Sequence, residues 1–178
     1  MNANTISTNQ PSDEAIDITR AAAEYGGNII KYCYNLLWDY HEAQDAAQEV
    51  FLAASVRISD LKNNDAFINW LYRIAYNTCM NILRRKKRQR LFLRLAASGN
   101  HIDSYEDNYY FGISMELKNA LNTLSAKDRA LVYNRAVDEM DYKQLEAIYG
   151  TNAAALRKRY ERARRKLETE LRKGGFDE

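Results

Sequence analysis

The chain has 178 residues, of which 46% are hydrophobic and 28% charged, and its 26 Lys and Arg residues nearly balance 24 Asp and Glu. This length suits one domain or two small ones, and a single proline with seven glycines argues against a turn-rich β architecture. The two cysteines and two histidines lack metal-ligand spacing and no catalytic constellation occurs, so we expect no enzyme, no metal and no cofactor.

The N-terminal segment, residues 1–14, is polar, and we predict that it is a disordered leader. It lacks the basic and then apolar pattern of a secretion signal. No apolar run in the sequence approaches the roughly 20 residues that a bilayer-spanning helix needs. We therefore expect a cytoplasmic protein without membrane insertion.

The next segment, residues 15–90, has helical periodicity and predicts a first domain of three helices. We expect one helix over residues 16–40, loosened at Gly26 and Gly27, and a second over residues 41–59. A short polar loop then leads into the third helix. No segment alternates as a β-strand would, so we predict an all-α protein.

Charge is distributed unevenly along this first domain. Ten acidic and four basic residues lie between Asp13 and Asp65, whereas every residue from Arg84 to Arg90 except Gln89 is basic. The acidic part indicates a surface for a basic protein partner, and the basic part indicates one for nucleic acid.

The third helix carries three faces when its residues are placed at about 100° intervals. Two faces are largely apolar, and we predict that they are buried. The third is a stripe that comprises Trp70, Arg73, Asn77, Asn81, Arg84 and Arg88. Aromatic rings stack on unpaired bases, asparagine hydrogen-bonds base edges and arginine neutralises phosphate, so the stripe indicates single-stranded nucleic acid. The alternative is a core tryptophan followed by a solvated, charged helix end.

Residues 91–114 are polar, acidic and aromatic without sustained periodicity, and we predict a flexible linker there. The aromatic residues within it can equally cap one of the two cores; they are Tyr105, Tyr109, Tyr110 and Phe111. A short tail, residues 174–178, follows the last periodic segment.

The C-terminal block, residues 115–173, predicts a helix-turn-helix. Asp141 is a suitable cap for a short helix that Gly150 ends, and a long helix starts at Thr151 or Asn152. The long helix is basic, and its candidate phosphate contacts are Arg157, Lys158, Arg159, Arg162 and Arg165. An ordinary basic helix is the alternative, but the cap, the turn and the charge all agree with DNA binding.

The sequence resembles a bacterial RNA polymerase sigma factor of the sigma-70 family, in particular the small extracytoplasmic-function (ECF) type. The resemblance rests on DAAQEVFLAA at residues 45–54, on FINWLYRIAYNTCMNILRRKKR at residues 67–88, and on residues 124–168, which contain the helix-turn-helix. It implies two small helical domains joined by a flexible tether, the C-terminal one a helix-turn-helix.

By the same resemblance, the chain is expected to bind core RNA polymerase and promoter DNA, both duplex and single-stranded. The residues matching the helix that docks on the beta-prime clamp helices are Asp45, Gln48, Glu49 and Phe51. A contact with the beta flap and an anti-sigma partner are also implied.

The resemblance further assigns promoter contacts. The loop that captures a flipped base of the minus-10 element matches Leu61, Lys62, Asn63, Asn64 and Asp65. The strand-reading and melting helix matches the stripe from Trp70 to Arg88, together with Arg85. The module that reads the minus-35 element matches Asn152, Ala153, Ala154 and the five cations of the long helix.

Two other functions fit parts of the sequence: a helix-turn-helix regulator that acts without polymerase, and a degenerate sigma-like protein that only sequesters a partner. The first leaves the third-helix stripe unexplained. The usual Gly-Thr-Val of the recognition helix is here Ala154-Ala155-Leu156, and Glu146 stands where alanine is common. We therefore expect little direct reading of minus-35 bases.

Overall fold

The structure, a computed structural model, describes residues 16–61, 63–96 and 113–173. This part of the chain forms seven α-helices and no strand, which confirms the predicted all-α class. The helices are α1 (Ile18–Leu37), α2 (Tyr40–Arg57), α3 (Phe67–Ala96), α4 (Met115–Asn122), α5 (Ala126–Ala136), α6 (Tyr142–Tyr149) and α7 (Ala153–Lys173). The predicted leader and tail, and most of the predicted linker, lie outside the described residues.

Helix α1 begins at an aspartate cap and ends at a tryptophan in the left-handed conformation. The Asp17 carboxylate accepts a hydrogen bond from the Thr19 amide at 2.8 Å, and Trp38 has a φ of 57°. The helix continues through Gly26 and Gly27, so the loosening that we expected there is wrong. Packing of the buried face outweighs the low helix propensity of two glycines.

Helix α3 has two buried faces, as predicted. Phe67, Leu71 and Ile74 are buried on one of them, and Tyr72 is buried on the other. The helix continues to Ala96, six residues beyond the end that we expected. The added residues contain no glycine or proline, and leucine, arginine and alanine favour helix.

Caps in the C-terminal half lie where the sequence predicts them. Asp141 and Gln144 form a reciprocal capping box at the start of α6, and Gly150 follows that helix with a φ of 63°. Of the two candidate starts for α7, the structure selects Asn152, whose side-chain oxygen accepts from the Ala155 amide at 2.9 Å. The predicted helix-turn-helix is therefore confirmed.

Two glycines should respond in opposite directions to alanine. We expect Gly27→Ala to stabilise the fold by about 0.5–1 kcal/mol, because glycine is unfavourable inside a helix and no atom lies within 4 Å of the added Cβ. Gly150→Ala should destabilise it by roughly 1–2 kcal/mol, since its left-handed backbone disfavours any Cβ. Urea unfolding, followed by circular dichroism, measures the change in the free energy of unfolding for each variant. A change in the same direction for both variants would contradict the prediction.

The N-terminal module (α1–α3) and the C-terminal module (α4–α7) pack directly against each other. Helix α6 lies on α3, helix α1 lies on α5, and one buried cluster extends through both modules. Tyr32 and Leu71 from the first module share this cluster with Leu131 and Leu145 from the second. The two predicted helical modules therefore share a core in this conformation.

Candidate nucleic-acid interface

One side of α2 faces solvent over three turns. Asp45, Gln48 and Glu49, which the sequence predicted as polymerase contacts, are exposed there. Phe51 is half-buried and packs against the core cluster. Its ring therefore anchors α2 to the module and does not form part of the exposed side.

Two apolar side chains that sequence reasoning missed complete this side of α2. Leu52 is 67% exposed and Val56 is 80% exposed, and they follow Glu49 at spacings of three and four residues. The resulting surface, called the α2 face, comprises Asp45, Gln48, Glu49, Leu52 and Val56. The exposure of Leu52 and Val56 could have been predicted from the sequence, because both lie off the line of small residues through which α2 packs on the core.

The predicted stripe on α3 is presented to solvent beyond its first residue. Its exposed members are Arg73, Asn77, Asn81, Arg84 and Arg88, with Arg85 beside them. Trp70 is half-buried, and its ring centroid lies 6.1 Å from that of Phe67. The tryptophan thus packs on the core while part of its surface stays accessible at the end of the stripe.

A different face of α3 is covered by the C-terminal module. Tyr72 is buried there, and the Tyr76 ring meets the Tyr149 ring of α6 edge-on, with centroids 4.9 Å apart and an interplanar angle of 89°. Because this contact uses the face that lies away from the stripe, module packing leaves the stripe open.

An open groove of about 700 Å³ connects the α2 face with the α3 stripe. Glu49 lines it from α2, and Asn81, Arg84 and Arg88 line it from α3. Lys86 pairs with Glu42 beside it, which ties the basic part of α3 to α2. A protein bound to α2 and a nucleic-acid strand bound to α3 would therefore share an edge.

The stripe continues into an apolar end that lies in the predicted linker. Leu91, Phe92 and Leu95 are 59%, 70% and 80% exposed, at helical spacing from Arg88. Phe92 places a second aromatic ring on the same side of α3, at the end of the stripe opposite Trp70. Sequence reasoning missed it because the helix was expected to end before it.

The predicted base-capturing loop lies just before α3. Leu61 is half-buried against the core, whereas Asn63 and Asn64 are exposed. Lys62 and the side chain of Asp65 lie outside the described residues. Asn63 and Asn64 are therefore the residues of this loop whose described side chains are exposed.

Two side chains cap the start of α7, at the turn of the helix-turn-helix. The Glu146 carboxylate accepts a hydrogen bond from the Ala153 amide, and Asn152 accepts from the amide of Ala155. The exposed Ala154 lies between them. Glu146, which stands where the resemblance led us to expect alanine, thus stabilises the start of α7 by satisfying an amide that has no partner within the helix.

The five cations of α7 are not equivalent. Lys158 and Arg165 have exposed side chains and no described contact with a ring or a carboxylate, whereas the exposed Arg162 lines the same groove as the Asp128 carboxylate. The Arg157 guanidinium lies 4.9 Å from the centroid of the Tyr142 ring. Arg159 places its Nε 2.6 Å from a carboxylate oxygen of Asp128, and its side chain is 30% exposed. Arg159 therefore ties α7 to α5.

The described residues contain no group of three or more His, Cys, Asp or Glu side chains that could hold a metal ion. Within the same ranges, no helix is both long and apolar enough to cross a bilayer.

Cys33 and Cys79 are buried thiols, and their hydrogen bond together with burial holds the pKa of Cys33 well above its usual value. These thiols are core groups of low reactivity.

Comparison with known proteins covers both modules. Residues 22–89 match the Sigma-70 region 2 family and residues 114–167 match Sigma-70, region 4. The chain is 30% identical over 159 residues to the ECF RNA polymerase sigma factor SigW of Bacillus subtilis, covering 83% of this chain and 85% of SigW. It is 24% identical to the ECF RNA polymerase sigma factor SigG of Mycobacterium tuberculosis and spans 50% of that longer protein.

Two solved structures share the fold. The sigma factor RpoE from Bartonella quintana, solved with the anti-sigma factor NepR, has a TM-score of 0.69 at 21% identity, over 88% of this chain and 97% of that one. CnrH, solved with the cytosolic domain of CnrY, has a TM-score of 0.64 at 21% identity, over 86% of each chain. The α2 face and the stripe up to Arg88 fall within the region 2 match, and α5 and α6 fall within the region 4 match.

Proposed function

Because the chain belongs to the sigma-70 family, as an ECF-type alternative sigma factor that directs transcription initiation, we propose that separate exposed surfaces bind core RNA polymerase and promoter DNA. The α2 face is the proposed polymerase contact. Its apolar pair, Leu52 and Val56, has the composition of an interface centre, and Asp45, Gln48 and Glu49 form a polar rim. The acidic rim steers the face toward a basic partner surface and favours that partner over others.

The α3 stripe is the proposed contact for the unpaired strand of the minus-10 element. The observation that carries this proposal is the exposure of Asn77, Asn81, Arg84 and Arg88 on one line beside the half-buried Trp70. Amides at this position hydrogen-bond base edges, and the arginines neutralise the backbone. Phe92 extends the line with a second stacking ring.

Helix α7 is the proposed contact for the minus-35 element, mainly through phosphates. The start of α7 offers Ala153 and Ala154, whose methyl groups donate no hydrogen bond to bases, while the cations lie farther along the helix. Register on the duplex then depends on phosphate contacts and DNA shape.

Substitutions of the α7 cations should change the salt dependence of duplex binding by different amounts. We expect Lys158→Ala and Arg162→Ala each to reduce the slope of log affinity against log salt by about 0.9, because each removes one phosphate contact. Arg159→Ala should change the slope less and lower thermal stability more, since Arg159 pairs with Asp128. Fluorescence anisotropy across salt concentrations, beside thermal melts, measures both. A slope change for Arg159→Ala equal to the other two would contradict the distinction.

Core-dependent transcription from a promoter library tests the proposed function directly. Purified core polymerase with this chain should produce transcripts that start downstream of a shared two-part motif, and neither component should do so alone. A regulator that works without polymerase would instead bind duplex DNA without producing transcripts. A sequestering protein would do neither.

An anti-sigma partner is also proposed, with the cytoplasm as the site of action. Its support is that the similar RpoE was solved with the anti-sigma factor NepR, and the similar CnrH with the cytosolic domain of CnrY. A pull-down from cell lysate with the purified chain as bait tests this proposal, and the captured protein should then inhibit core-dependent transcription.

A further inference from the structure

The carboxylate of Glu146 lies at the end of α7 that a helix-turn-helix presents to DNA. Its side chain extends from α6 across the turn, and Oε1 accepts a hydrogen bond from the amide of Ala153, the first residue of α7. In helix-turn-helix proteins, the N-terminal residues of the second helix contact base edges in the major groove. A charged acceptor therefore lies at the place where bases are read.

A second contact between α6 and α7 helps to fix the position of this carboxylate. The Arg157 guanidinium, one turn into α7, lies 4.9 Å from the centroid of the ring of Tyr142, which is one turn before Glu146 on α6. Residues four apart share a helix face, so the two contacts lie on the same side of the helix pair at successive turns. The carboxylate is thus held by its own hydrogen bond and by the packing of the helices around it.

The second carboxylate oxygen of Glu146, Oε2, is available as an acceptor. Within the described part of the chain, the side chain makes no hydrogen bond other than the one from Ala153. The ion pairs of α7 there are those of Arg159, Arg164 and Lys173, and their carboxylates belong to other residues. The side chain is half-buried, and Oε2 is not one of the fully buried polar atoms that lack a partner in these ranges, so it faces solvent.

The residues at the start of α7 are small enough for bases to approach the carboxylate. Ala153, Ala154 and Ala155 follow one another there, and the last two are exposed. An alanine side chain ends at a methyl group, so the start of α7 can lie close to the floor of the groove. Lys158 and the later cations proposed to bind phosphates lie more than one turn farther along. Glu146 therefore brings a negative charge to the base-reading end of the helix.

The chemistry of a carboxylate decides which bases it accepts. In the major groove, cytosine presents its N4 amino group and adenine its N6 amino group, and both donate hydrogen bonds. Guanine presents O6 and N7, and thymine presents O4, all of which are acceptors. A carboxylate covered by guanine or thymine would lose its water and gain no donor, which rejects these bases.

We propose that Glu146 determines specificity at one base of the minus-35 element, where Oε2 accepts a hydrogen bond from the exocyclic amino group of cytosine or adenine. This inference rests on the proposed contact of α7 with that element, and it adds one direct base contact to the phosphate contacts that position the helix. The carboxylate has two partners in the complex. The Ala153 amide fixes its position, and the base is selected by its second oxygen.

Selection of randomised duplexes by the full chain at low salt, followed by sequencing, tests the assignment. For the parent chain we expect one position at which cytosine or adenine is enriched about tenfold over guanine and thymine. Glu146→Ala removes the acceptor and should abolish the preference at that position alone. Glu146→Gln keeps an oxygen for the Ala153 amide and adds an amide donor, so guanine and thymine should bind there within about threefold of cytosine.

Glu161→Gln is the matched control, because it removes one negative charge from an exposed position of α7 about two turns past its start. It should raise duplex affinity slightly for all sequences and leave every base preference at the parental value. If Glu146→Gln also raises affinity uniformly, the carboxylate only repels the DNA backbone, and the proposal is wrong. Unchanged preferences in both Glu146 variants, with thermal stability lowered by alanine, would show that Glu146 is only a helix cap.

Transcription by core polymerase with each variant separates this inference from the proposed function. Templates that differ only at the selected position should give transcript yields about tenfold apart with the parent chain and similar yields with Glu146→Gln. Core-dependent transcription without any preference that depends on Glu146 would overturn the inference and leave the proposed function intact. A preference that depends on Glu146 in the duplex selection, without any core-dependent transcript, would contradict the proposed function alone.

Discussion

Replacing Gln48 and Glu49 together by lysine should weaken core polymerase binding by about 100-fold or more, equivalent to roughly 2.7 kcal/mol. Both side chains are exposed in the polar rim of the α2 face, and neither packs against the core. The double variant brings two positive charges toward a partner surface that the acidic rim is expected to attract, and like charges across an interface cost several kcal/mol. Titration of labelled chain with core polymerase measures the change, while helicity and duplex binding should stay at parental values.

A matched variant controls for net charge. Glu24→Lys with Asn28→Lys makes the same change in formal charge on the exposed side of α1, and it should leave core affinity within about twofold, since exposed sites away from an interface contribute little. Leu52→Ala with Val56→Ala tests the apolar centre of the face without any charge change. If the two lysine pairs weaken binding equally, the effect is one of overall charge, and α2 is not the docking helix.

Local features of this fold were predictable because they depend on a few neighbouring residues. Asp141, Gln144 and Gly150 mark the short helix of the helix-turn-helix, since a reciprocal cap and a left-handed residue each need particular side chains. The α3 stripe was predictable for the same reason: spacings of three and four residues fix which side chains share a face.

Features that depend on distant contacts were not predictable from local pattern. Arg129 reads in the sequence as one more surface cation, yet the structure buries it against carbonyls of α1 that lie more than 90 residues away. Arg159 reads as a phosphate contact, but Asp128 on another helix pairs with it. Phe51 matched a docking motif, and only the packing of α2 shows that its ring faces the core.

The second large effect concerns promoter opening. We expect Asn77→Ala with Asn81→Ala to slow opening by roughly 30-fold while closed-complex formation stays near the parental level. Both asparagines are exposed on the α3 stripe, so their loss leaves the core unchanged. Each base contact contributes about 1–3 kcal/mol, and both contacts exist only after the bases have unpaired. Permanganate reactivity of the opened bases measures the rate of promoter opening. The formation of the closed complex is measured separately.

A pre-melted template distinguishes strand capture from damage to the helix. When the bubble is supplied in the DNA, opening is no longer required, and transcription by the double variant should recover to within a few-fold of the parent. The matched control, Asn28→Ala with Asn122→Ala, removes two exposed amides from α1 and α4 and should open a paired promoter normally. Thermal melts should be similar for both pairs. If the α3 pair opens paired DNA as fast as the control pair, these amides do not contact the unpaired strand, and the stripe is a solvated helix face whose arginines bind only backbone.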